Sequence, residues 1–102
     1  IAIGRQIMAA NPLYADLVAC SNYTRGSEVA AGIEVPSQLI LARNDRLTPV
    51  KAGMAIAAQL RAKVTVIERY GHMLPIEAPR QTLQKLRELI AAQEAAAEGQ
   101  AA

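Results

Sequence analysis

The sequence predicts an α/β fold in which two parallel strands are joined by a helix, with short helices ahead of them and a longer helix behind. Three observations predict it. Leu39-Ile40-Leu41-Ala42 is an unbroken apolar run, the pattern of a strand covered on both faces. Lys63-Val64-Thr65-Val66-Ile67 is a second run, rich in the β-branched residues that strands favour. Between them, Thr48-Pro49 opens a stretch of helical composition that continues to about Ala62. A strand, a helix and a strand within this length make a right-handed crossover, so both strands end on the same edge of one sheet.

The chain has 102 residues, 52% of them hydrophobic, which is the size of one small domain with material for a core. It opens on Ile1 within a helical pattern, and a segment upstream is therefore expected. Eleven basic and nine acidic residues leave a net charge of +2, and the cations are scattered, as at Arg5, Arg25, Arg43, Lys63 and Arg87. No Phe or Trp is present to stack on bases. Nucleic acid and anionic membrane are thus not expected partners. Cys20 is the single cysteine, so an intrachain disulfide is impossible, and a reducing, cytoplasmic location is expected. With one histidine and no cluster of ligands, neither a metal nor a cofactor is expected. No apolar run approaches the length of a membrane span.

Taken in order, Ile1 to Ala10 reads as a helix with Ile3, Ile7 and Met8 at helical spacing. Asn11-Pro12 stops it and starts another, Asn11 being a good cap and Pro12 a good first residue. Leu13, Leu17 and Cys20 share one face of that second helix, which makes Cys20 a small buried hydrophobe. Ser21 to Gly32 is a polar linker with room for one helical turn, capped by Ser27. Pro36 belongs at the start of the first strand, since it cannot donate to a ladder.

In the middle helix, Thr48 is expected to cap the start through its hydroxyl, and Val50, Met54, Ala57 and Arg61 line one side, with Met54 as core filler. Pro79 opens the last helix, whose seam is Leu83, Leu86, Leu89 and Ile90. Glu77 just ahead of it would serve the positive helix end. The Ala-rich tail has little to bury. These divisions give residues 1–32 as helices and linker, 33–92 as the core, and 93–102 as a fraying tail.

Asp45 follows the first strand and His72 follows the second, so parallel pairing delivers an acid and the chain's one histidine to a shared edge. An imidazole can take and return a proton near neutral pH. A carboxylate on its Nδ1–H fixes its tautomer and orientation and stabilises the imidazolium formed during reaction. Gly71 is expected to let the chain turn sharply enough to aim the ring.

Val35-Pro36-Ser37-Gln38-Leu39-Ile40-Leu41-Ala42-Arg43-Asn44-Asp45-Arg46-Leu47-Thr48-Pro49 resembles the acid-bearing strand and loop of the α/β-hydrolase fold family. Tyr70-Gly71-His72-Met73 through Glu77-Ala78-Pro79 is similar to that family's histidine loop and the start of its last helix. Both occur in the family's order and spacing, over Ile33 to about Ile90. Ile1 to Tyr23 more loosely resembles the last helices of its cap domain. The resemblance implies the C-terminal βαβα part of an α/β-hydrolase parallel sheet, preceded by short cap helices. It makes Asp45 the triad acid and His72 the general base. Ala42 departs from the family, where Gly often stands three residues before the acid.

The implied activity is hydrolysis of a small-molecule substrate, an ester or a related compound, with no cofactor. The family's G-x-S-x-G nucleophile elbow is absent from these residues, and with it the oxyanion hole. Ser21, Ser27 and Ser37 read as solvated or capping serines. The nucleophile is therefore expected upstream, and the 102 residues alone are expected to be inactive. The alternative is a non-catalytic binding or interaction module that keeps the fold without the chemistry. Half of a nucleotide-binding domain is a weaker reading, since neither strand is followed by a Gly-rich turn.

Overall fold

The computed structural model describes residues 2–101, so Ile1 and Ala102, assigned above to the first helix and the tail, lie outside the described residues. The elements in order are α1 (Ala2–Ala10), α2 (Leu13–Asn22), α3 (Gly26–Ala31), β1 (Gln38–Ala42), α4 (Val50–Leu60), β2 (Lys63–Ile67), α5 (Leu74–Glu77) and α6 (Pro79–Ala101). β1 and β2 pair in parallel, from Gln38 opposite Lys63 to Ala42 opposite Ile67. α4 crosses between them and packs on both, α3 lies against α4, and α6 reaches β1.

The predicted fold class is corrected by this arrangement. Among the described residues, six helices stand against two strands of five residues each, so the chain is mostly helical. Two strands make a ribbon, not the βαβα part of an α/β-hydrolase sheet. The physical reason is compositional. Only residues 38–42 and 63–67 combine an apolar run with flanking breakers. Most of the remaining chain is rich in Ala, Leu, Gln, Glu and Arg, which favour helix. A two-stranded ribbon also covers too little apolar surface to organise a sheet layer by itself. The radius of gyration is 16.8 Å, against about 13 Å for a compact domain of 100 residues.

The helices bury only part of the faces the hydropathy pattern suggests. On α4, the inward positions are Val50, Gly53, Ala57 and Leu60, while Met54 and Arg61 are exposed. The middle of that inner face, Gly53 and Ala57, is built from small residues, and at Gly53 α4 sits very close to β1. A Cβ added at Gly53 would stand 2.6 Å from a Leu41 methyl carbon. The helix ends at Leu60, and Arg61 takes a left-handed conformation with φ of 54°. On α6, Thr82, Lys85, Glu88 and Leu89 turn inward, and the predicted seam of Leu83, Leu86 and Ile90 faces out. The α6 helix continues without a break through the predicted tail to Ala101.

No residue of α1 or α2 is buried, and Cys20 is exposed, contrary to the expectation from its helical face. Asn11 does not cap α2. Its side-chain amide donates to the Ile7 carbonyl at 2.6 Å and so closes the end of α1, leaving Pro12 in the cap position. No helix among the described residues is long and apolar enough to cross a membrane.

The core lies at the C-terminal ends of the strands. Ala42 and Ile67, the last residues of β1 and β2, are buried together with Leu74 and Ala78, and Ile40 and Tyr70 pack against them. The best-packed part of the molecule therefore lies directly beneath the loops that follow the two strands.

Candidate acid–base site

After Ala42 the chain turns at once, with the Asp45 amide donating to the Ala42 carbonyl at 3.2 Å. The Asp45 carboxylate then gathers the next residues around itself. Its Oδ1 accepts from the amides of Leu47 and Thr48, each at 2.9 Å. Its Oδ2 accepts from the Thr48 hydroxyl, also at 2.9 Å. A short acidic side chain that bonds amides two and three residues ahead makes a turn of its own and needs no regular element. Thr48 is consequently not the cap of α4. Its hydroxyl is committed to Asp45, and Pro49 takes the cap position with no side-chain bond.

After Ile67 the second loop is lashed to the first. The Arg43 amide donates to the Ile67 carbonyl at 2.9 Å, and the Asn44 amide donates to the Tyr70 carbonyl at 3.0 Å. The Arg43 guanidinium forks onto the Glu68 carboxylate, with Nε and Nη2 each at 3.1 Å from an oxygen. That pair holds the Glu68 carboxyl below its ordinary range and the Arg43 guanidinium above its own. Arg69 makes the turn with φ of 73°, an unfavourable conformation for a residue with a side chain.

These constraints bring His72 Nδ1 to 2.9 Å from Asp45 Oδ2 and 3.3 Å from Thr48 Oγ1. The two sequence-predicted residues therefore meet, and Thr48 joins them. The Asp45 side chain is only 10% exposed, whereas that of His72 is 43% exposed. The Asp45 carboxyl lies well below the usual carboxylate range. The Thr48 amide is the largest cause. The His72 ring, the Thr48 hydroxyl and the Leu47 amide add to it, and partial burial opposes it.

The ring tautomer follows from the network. An ionised carboxylate only accepts, and the Thr48 proton already points at Asp45. Nδ1 must then carry hydrogen, since a bare lone pair 2.9 Å from a carboxylate oxygen would be repelled. The Nε2 lone pair is left free to take a proton. This is the orientation a general base requires.

Glu77 was expected at the helix end and instead braces the histidine loop. Its Oε1 accepts from the Gly71 amide at 3.1 Å and its Oε2 from the Met73 amide at 3.0 Å. Gly71 also has a different role from the one expected. No glycine among the described residues has a positive φ, so the loop does not require one at position 71 for its turn. A Cβ there would stand 3.4 Å from both Glu77 oxygens, and the glycine gives the carboxylate an open approach.

The sequence does contain a signal for Glu77, an acid five residues after the histidine and two before a helix-opening proline. It admits a helix-end reading equally well, and only the three-dimensional path separates the two.

Ser21 lies in α2 and Ser27 in α3. Ser37 stands ahead of β1, at the opposite strand end from Asp45, with its hydroxyl donating to the Val35 carbonyl at 3.1 Å. The site thus holds an acid, a base and an orienting hydroxyl. Among the described residues, no three His, Cys, Asp or Glu side chains are placed to hold a metal ion. Comparisons with family models, curated proteins and solved structures give no match for this chain.

Proposed function

We propose that Asp45 and His72 are the acid and base of a serine-hydrolase-type site that cleaves a carboxylic ester or a related small molecule. The nucleophile and the oxyanion-stabilising amides would come from polypeptide outside these 102 residues, as the resemblance to α/β-hydrolases suggests. The observation that carries the reading is the 2.9 Å contact between His72 Nδ1 and an Asp45 oxygen whose carboxylate already accepts three other hydrogen bonds. A purely structural ion pair would not need one partner saturated and the other ring left open to solvent.

In this role His72 Nε2 takes the proton of the nucleophile's hydroxyl as its oxygen bonds to the ester carbonyl carbon. The imidazolium then returns that proton to the departing alkoxide as the carbon–oxygen bond breaks. In the second half a water loses its proton to Nε2 and attacks the acyl group, and the proton passes back to the nucleophile's oxygen. Asp45 stays ionised and stabilises the imidazolium in both halves.

The test is hydrolysis of a chromogenic short-chain ester by the protein expressed from its gene with whatever precedes Ile1. Turnover is expected, with a loss of roughly 10⁴-fold in Asp45→Asn and a comparable loss in His72→Ala. The 102 residues alone are expected to give none. A folded, longer protein without turnover on a panel of esters would overturn the reading and favour the non-catalytic binding module. So would turnover indifferent to His72→Ala.

A further inference from the structure

We infer that Glu77 is a positioning residue for His72, acting through the backbone on either side of it. The inference deepens the acid–base reading and rests on it for its meaning, although the contact network stands apart from any reaction. His72 occupies an irregular stretch between β2 and α5, where no ladder or helix fixes the peptide planes. The Gly71 and Met73 amides flank it, and one carboxylate accepts both, Oε1 at 3.1 Å and Oε2 at 3.0 Å. Two peptide planes held on one rigid carboxylate fix the backbone of the residue between them. The aim of its side chain is thereby restricted.

The clamp is itself anchored. The Glu77 amide donates to the Met73 carbonyl at 2.9 Å, so Glu77 and Met73 bond reciprocally. The Ala78 amide donates to the Leu74 carbonyl at 2.8 Å, and both of those residues are buried in the core. The Thr82 hydroxyl adds a second donor on the Leu74 carbonyl at 3.3 Å. A continuous path therefore runs from the core through α5 to Glu77, and from Glu77 to the backbone that carries the imidazole. An ordinary helix cap would account for the Met73 bond. It does not account for the Gly71 bond, which lies outside α5 on the far side of His72.

The single histidine makes the test direct, because every imidazole signal of the chain is His72. Nitrogen-15 NMR of the ring in the 102-residue chain reads the Nδ1–H to Nε2–H tautomer ratio, with Asp45→Asn as the reference for a ring without its acceptor. Nδ1–H is expected to dominate in the native chain. In Glu77→Ala the ratio should fall roughly threefold or more, and in Glu77→Gln, which keeps one carbonyl acceptor, by an intermediate amount. Helical circular dichroism should be retained in both.

A second measurement needs no variant. The Gly71 and Met73 amide signals should move together with the Glu77 carboxyl carbon as that group is protonated. An unchanged ratio in both folded variants would reduce Glu77 to a helix cap and overturn the inference. So would Gly71 and Met73 amides indifferent to Glu77 protonation. Failure of ester turnover with the clamp intact would instead sink the proposed function and leave this inference standing.

Discussion

The Thr48 hydroxyl donates to the same Asp45 oxygen that faces His72, and it stands 3.3 Å from the ring nitrogen itself. One threonine therefore both saturates the acid and flanks the base. Thr48→Val keeps the shape and the Thr48 amide bond but removes this donor. The Asp45 carboxyl should move up toward its ordinary range, and turnover in the longer protein should fall by about tenfold or less. The loss should be far smaller than in Asp45→Asn. Carbon-13 titration of Asp45 and ester kinetics check both parts, and an unmoved carboxyl would show that the amides alone set its acidity.

Asp45 also sets an acid limit. Its folded-state pKa is depressed, so its contribution to stability is fully present above the unfolded carboxylate value of about 4. That contribution is lost as pH falls from there through the folded value. The stability gap between the native chain and Asp45→Asn should therefore narrow as pH falls below about 4. Urea midpoints at several pH values measure it. A gap that fails to narrow below about 4 would mean the carboxylate is not held by these donors.

Gly53 sets helix propensity against packing. Alanine in a helix interior is favoured over glycine by about 1 kcal/mol. At this position its Cβ would meet Leu41 Cδ2 at 2.6 Å and Leu41 Cγ at 3.3 Å. Gly53→Ala should therefore be destabilising by up to about 2 kcal/mol net, the usual overpacking cost of about 1 to 3 kcal/mol less the propensity gain. The loss should shrink when Leu41 is also truncated to alanine, giving a coupled double-mutant cycle. Additive losses would show that α4 can shift to accept the methyl.

Arg69 offers a gain. A side chain in the left-handed region costs roughly 1 to 2 kcal/mol, and glycine returns part of that to the unfolded chain as entropy. Arg69→Gly should raise stability by about 0.5 to 1 kcal/mol, read from a thermal or urea midpoint. A drop would mean that the arginine makes contacts worth more than the strain.

What the sequence displayed most legibly was the placement of Asp45 and His72, because each follows an apolar run that ends abruptly at polar residues. Inner helix faces were much less legible. On α4 the pattern found Val50 and Ala57 but added Met54 and Arg61, which are exposed, and missed Gly53, whose hydropathy is weak. Thr48 and Glu77 both carry local signals for helix ends, and their side chains instead serve partners three, four and six residues back along the chain. Ser, Thr and acidic residues offer the same oxygen to a helix end or to a neighbouring loop, and only the tertiary path decides between them. The α/β class was inferred from two strands, and the helices that make up most of the described residues overturn it.

The position of the core beneath the loops has a consequence for how the molecule opens. Ala42, Ile67, Leu74 and Ala78 support the site directly, while α1 and α2 contain no buried residue. In hydrogen–deuterium exchange, the Arg43 and Asn44 amides, bonded across to Ile67 and Tyr70, should be among the slowest to exchange. Amides of α1 and α2 should exchange early, through fluctuations that leave the Asp45–His72 pair assembled. Such a molecule would lose its N-terminal helices first and its acid–base pair only in the last cooperative unit to unfold.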